Sequence, residues 1–141
     1  MMKLKDLGIT GKERNALLDV AAALDSGTLK HTTETNDGPA FNIDITADNN
    51  AYECGTVCCI GGWASILMQG GTIQKEQSGD LIDKADDYVR GKTGCPIEAL
   101  YYPSDVDDWS DITPPVAVAA IHQFLATGKV DYNELIAEHG E

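Results

Sequence analysis

Residues 57–69, Val-Cys-Cys-Ile-Gly-Gly-Trp-Ala-Ser-Ile-Leu-Met-Gln, carry no charge at all. A run of this length without a polar stripe has no face to offer water, so it must be wrapped by the rest of the chain. It is also well short of the roughly 20 apolar residues that span a bilayer. Thr56 is a cap residue and Gly70-Gly71 a stop, so the run reads as a helix from Val57 to about Gln69, with Ile60, Trp63, Ala64 and Leu67 along one side. This predicts the central, most buried helix of the fold.

The other segments supply the wrapping. Thr10 followed by Glu13 is a capping box, and Leu17, Val20, Ala21 and Leu24 recur at helical spacing up to Ser26-Gly27, which predicts a helix over 11–26. Ser78 opens a second amphipathic helix, with Leu81, Ile82, Ala85, Tyr88 and Val89 inward and Asp80, Asp83, Lys84, Asp86 and Asp87 outward. Pro96 starts a short helix through Leu100 and Tyr101, closed by Pro103. Thr113-Pro114 opens one over 116–127 that ends at Gly128, and Asp131 with Glu134 starts a last short helix.

Strand signal is confined to one region. Phe41, Ile43, Ile45 and Ala47 alternate with Asn42, Asp44 and Thr46 after the turn material Asn36-Asp37-Gly38-Pro39. The expectation is a β-hairpin pairing about 28–34 with 41–47, with a short third strand near Ala51-Tyr52. Together these give an α+β, mostly helical small domain of about five helices with one β-hairpin, a single domain over 1–141. A chain of 141 residues can bury such a core without metals or disulfides.

Charge is the second constraint. The net charge is −13, and residues 1–30 hold five bases against four acids, so the whole acid excess falls in residues 31–141. Such a surface repels nucleic acid and anionic lipid and favours basic protein partners. The start of the chain has no apolar stretch resembling a signal-peptide core, and the four cysteines (Cys54, Cys58, Cys59, Cys95) do not form the framework of a small secreted domain. The expectation is a cytoplasmic protein without membrane contact.

Two stretches are candidates for chemistry. In the first, a thiol in the first turn of the apolar helix would see backbone N–H groups that favour a thiolate, which makes Cys58 or Cys59 a possible nucleophile. The layout loosely resembles papain-like cysteine hydrolases, yet His31 precedes the cysteines, His122 lies within a helix and His139 near the end. Cys54, Cys58 or Cys59, Cys95 and a histidine form an alternative zinc set without the usual C-x-x-C pairs, and Cys54 with Cys59 a redox pair. Buried structural thiols explain the same residues, with Gly61-Gly62 letting another element approach the helix closely. No catalytic residue, metal site or cofactor is therefore assigned.

The second stretch is Asp105-Val106-Asp107-Asp108-Trp109-Ser110-Asp111. It lacks the glycine and glutamate of an EF-hand loop. Between Thr93 and Gly128 there is no lysine or arginine. With Tyr101 and Tyr102 just upstream, Asp105, Asp107, Asp108, Trp109 and Asp111 form a candidate acidic and aromatic binding surface for a basic protein, since tryptophan and tyrosine are enriched in binding hot spots.

The run C-G-T-x-x-C-I-x-G-W-A at 54–64, followed by Ile112-Thr113-Pro114-x-x-Ala117-x-x-Ala120-Ile121-x-x-Phe124-Leu125-x-Thr127-Gly128, resembles small uncharacterised proteins common in bacteriophages and their bacterial hosts. The resemblance spans about 50–132; Cys58 is extra, and Gly61 stands where alanine is expected. It implies a setting and no activity: a phage-type accessory protein in the host cytoplasm. The functional expectation is one that binds a host protein with a basic surface and modulates it, as a counter-defence inhibitor. The alternatives are a small-molecule-binding, sequestering protein with its pocket near the cysteine helix, and a papain-like thiol enzyme.

Overall fold

A computed structural model of the chain describes residues 2–32, 39–43, 45, 47–52, 55–74 and 77–139. After a single helical turn, α1 (Leu4–Leu7), the chain enters α2 (Gly11–Ser26), whose ends fall where the caps place them. Glu13 N–H donates to Thr10 Oγ1 at 3.1 Å and Thr10 N–H to Glu13 Oε1 at 3.0 Å, closing the capping box. Gly27 ends the helix at φ 84°, a left-handed conformation that a Cβ would strain.

Four short strands follow: β1 (Lys30–His31), β2 (Ala40–Phe41), β3 (Ala47–Tyr52) and β4 (Gly55–Cys58), in the sheet order β1-β2-β4-β3. Here the expected pairing is corrected. Lys30 and His31 run parallel to Ala40 and Phe41, and the same β2 residues run parallel to Val57 and Cys58. The antiparallel hairpin of the fold is β3–β4, with Ala47 opposite Cys58 and Tyr52 opposite Gly55. Alternation correctly marks Phe41 and Ile43 as buried, at 0% and 3% exposed. But Ile43 already lies in a turn, closed by Ile45 N–H on the Asn42 carbonyl, so the strand stops at Phe41. Residues 33–38, 44 and 46 of the expected hairpin lie outside the described residues.

The central helix, α3 (Ile60–Met68), begins later than Thr56 suggests, because residues 55–58 are claimed by β4. Branched Thr56 and Val57 suit a pleated strand at least as well as a first helical turn. Cys59 takes over as the cap, its Sγ accepting from Gly62 N–H at 3.3 Å. Every residue from Ile60 to Ile66 is buried, as the uncharged run requires. Trp63 fastens the helix to the sheet, its Nε1–H donating to the Ala40 carbonyl at 2.9 Å.

α2, α4 (Gly79–Arg90) and α5 (Glu98–Tyr101) pack against α3, while α6 (Pro114–Thr127) packs on α2 and α7 (Tyr132–His139) on α6. Ala85 and Val89 are the fully buried residues of α4, while Leu81, Ile82 and Tyr88 flank them half-buried. In α6, Val116, Ala117, Ala120, Ile121, Phe124 and Leu125 face the core. No helix among the described residues is long and apolar enough to cross a membrane.

Candidate functional site

The acidic segment between α5 and α6 is fixed from beneath. Pro103 is buried, and Val106 and Ile112 are 8% and 0% exposed. Trp109 lies half-buried at the start of a 3-10 turn (Trp109–Asp111), its indole N–H donating to the Pro103 carbonyl at 3.1 Å. Asp108 caps that turn, accepting from Ser110 Oγ at 2.6 Å and Ser110 N–H at 3.0 Å. These two bonds, side chain first, hold its carboxyl below the usual aspartate range. Asn133 of α7 donates to the Asp105 carbonyl at 2.9 Å, tying the loop to the last helix.

Above these anchors Asp105, Asp107, Asp108 and Asp111 all point to solvent, and none is paired with a base among the described residues. Tyr102 is half-buried at the edge of the loop. Burial first, then the neighbouring Cys59, Asp86 and Glu98, pushes its phenol up, against the opposing charge of Arg90. Tyr101 must be removed from the candidate surface: it is 1% exposed. It sits on the inward side of α5, and its hydroxyl is 2.8 Å from that of Tyr88. Tyr101 is the last helical residue and faces inward, whereas Tyr102 leaves the helix as its C-cap with extended backbone, which is why one tyrosine of the pair reaches the rim and the other the core.

That Tyr88–Tyr101 contact belongs to a polar network which spacing alone does not reveal. Glu13, 5% exposed, accepts at Oε2 from Tyr88 Oη at 2.7 Å and from Lys92 Nζ at 2.9 Å, while its Oε1 closes the capping box. Lys92 Nζ also lies 5.1 Å from the centre of the Tyr88 ring. Burial pushes the Glu13 carboxyl up, but the bonds from Tyr88, Lys92 and Thr10 outweigh it and leave the group below its ordinary value. Burial, reinforced by Glu13, raises both tyrosines, so they stay protonated donors. The network joins α2, the end of α4 and α5, and its groups are spent on one another.

The cysteines are enclosed. Cys58 and Cys59 are 0% and 2% exposed, and burial pushes the Cys59 thiol up to about 11 against the opposing bonds from Gly62 and Gly61. A thiol so raised is a poor nucleophile at neutral pH. Cys54, required by the redox pair and part of the zinc set, lies outside the described residues. Among the described residues no three histidine, cysteine or acidic side chains come together as a metal site. A disulfide-exchange reagent should therefore label Cys95, which is partly exposed, well before Cys59 under native conditions. Equal rates for the two would contradict the enclosure.

Among the described residues, one depression in the surface lies away from the cysteine helix. It is an open groove of about 620 Å³ where the end of α2, β1 and the start of α6 meet, with His139 of α7 at its edge. Comparison with protein-family models, curated proteins and solved structures found no match for this chain.

Proposed function

We propose that this chain is a non-enzymatic accessory protein of the phage type that binds a basic host protein through the acidic face at Tyr102–Asp111 and modulates it, as a counter-defence inhibitor acting in the host cytoplasm. The observation that carries this reading is the loop's construction. Four carboxylates with no basic partner among the described residues project from a segment whose backbone is pinned by buried Val106 and Ile112, by the Trp109 indole bond and by Asn133. Charges held in place before the partner arrives are not reordered on binding, which lowers the entropic cost of association. Beside them, a small cleft of about 60 Å³ between Tyr102, Asp105, Asp131 and Tyr132 offers a seat for the head of one basic side chain. The phage setting rests on the motif resemblance alone.

The test is kinetic. Association with the partner recovered by affinity capture should slow steeply as salt rises from about 0.05 to 0.3 M, a range over which the Debye length shrinks past 10 Å. Replacing Asp105, Asp107 and Asp108 together with asparagine should lower the on-rate by roughly tenfold at low salt and leave thermal stability unchanged. The triple variant of Asp6, Asp19 and Asp83, also exposed, removes the same charge elsewhere and should change the rate far less. Equal rates for the two variants would mean that only net charge counts, and the loop would lose its role.

A further inference from the structure

The groove between α2, β1 and α6 is electrostatically out of character with the rest of the molecule. The chain has 23 acids against 10 bases, yet the lining contains one carboxylate, Asp25, against Lys30 and two of the three histidines, His31 and His139. Lys30 is exposed and has no carboxylate partner among the described residues, so its charge is available. His31 is fixed in place, 3% exposed with its ring centre 6.0 Å from that of Phe41.

The walls are apolar and stiff. Leu24 and Leu29 are almost fully buried beneath them, and Pro114 and Pro115 form the rim, where ring closure locks the backbone. The trough runs on past Pro115 to Val118 and Ala119. A volume of about 620 Å³ is that of small-ligand sites in general, which combine apolar walls with a few polar groups. Thr113 adds a hydroxyl that caps nothing in its own helix.

From this we infer that the groove is a binding site for a small organic anion, a flat ring system carrying a carboxylate or a phosphate. The ring lies against Leu24, Leu29 and Pro115; the anionic end meets Lys30 and Thr113. Asp25 accepts from an N–H or hydroxyl of the ring system. The net charge of −13 opposes any anion, so binding here rests on Lys30, the Thr113 hydroxyl and the apolar walls. The site is separate from the acidic loop and stands or falls independently of the protein-binding reading.

The probes are indole-3-acetate and adenosine 5′-monophosphate, with indole, adenosine and inorganic phosphate as their part-molecules, each titrated into the ¹⁵N-labelled full chain. At least one of the two ring-bearing anions should give saturable shifts at Gly27, Lys30, His31 and Thr113, with a Kd below about 1 mM and its part-molecules at least tenfold weaker. Lys30→Ala should weaken binding about tenfold, the usual scale for losing one charge-assisted bond. The asparagine variant of Asp105, Asp107 and Asp108 should bind as the parent does. Absence of saturable shifts with both anions, part-molecules that bind equally well, shifts centred elsewhere or an unaffected Lys30→Ala variant would each overturn the assignment.

Discussion

Replacing Glu13 with alanine is expected to destabilise the fold by about 3 kcal/mol, the scale for removing one partner of a buried ion pair. Glu13 holds Tyr88 and Lys92 at Oε2 and the Thr10 N–H at Oε1, so a single truncation strips a lysine of its partner, removes an acceptor from a half-buried phenol and opens the capping box. Tyr88 keeps its contact with Tyr101 and Lys92 can turn toward water, which sets the upper bound. Glu13→Gln should cost less than Glu13→Ala, because its single amide oxygen can still accept from the Thr10 N–H, but the NH2 that replaces Oε2 is a donor facing Lys92 and Tyr88, and the charge is lost. The same comparison carries a pH signature. The carboxyl is lowered on folding from its ordinary 4.5, so its contribution is complete above about pH 4.5. As pH falls below that value the unfolded chain takes up the proton first, and the contribution disappears as pH passes through the lowered value of the fold. Urea denaturation at pH 7 and pH 3 should therefore show the gap between the parent and Glu13→Gln closing in acid. A gap that is constant with pH would mean that the carboxylate is not charged in its pocket.

The parts of this fold legible in the sequence are those fixed by contacts close along the chain. The ends of α2 follow from a capping box four residues long and from Gly27, and α6 follows from Thr113-Pro114 and Gly128. The depth of α3 follows from the absence of charge in 57–69. What was not legible depends on remote partners. Alternation at Phe41 and Ile43 shows which side is buried, yet the strand's neighbours are His31 and Cys58, ten and seventeen residues away and both parallel, and no turn signal encodes that. Thr56 is a good cap by type, but β4 needs its backbone, and a cysteine, seldom counted among cap residues, accepts the helix's N–H instead.

The acidic surface divides along the same line. Aspartates in a segment free of bases must be solvated, and Asp105, Asp107, Asp108 and Asp111 are. Tyr101 and Tyr102 are alike in composition and differ in that a four-residue helix ends between them, with Tyr101 turned inward onto Tyr88 thirteen residues earlier. Glu13 and Lys92 lie still farther apart in sequence. Glu13 is fully explained as half of a capping box until the structure shows its second oxygen in use.

The close approach to the central helix is expected to be the other site of large effect, at Gly61. A Cβ there would lie 2.8 Å from Val89 Cγ2 and 3.1 Å from Tyr101 Cδ2, both on side chains that are 1% exposed and have little room to retreat. Alanine normally improves a helix interior by about 1 kcal/mol over glycine. Here overpacking should reverse the sign and leave Gly61→Ala less stable by about 1–2 kcal/mol, with Gly61→Leu costing about 3 kcal/mol or more. Val89 and Tyr101 occupy the room that a methyl group at this position would take. Gly79→Ala is the matched control: it opens α4, a Cβ there meets nothing within 4 Å, and it should be neutral or slightly stabilising. Val89→Ala removes the nearest obstructing methyl, so combining it with Gly61→Ala should cost less than the two single changes added together. Denaturant midpoints of Gly61→Ala, Val89→Ala and their combination decide the matter: if the double variant's loss equals the sum, the strain at Gly61 does not come from Val89, and the docking of α4 on α3 is not set by this contact.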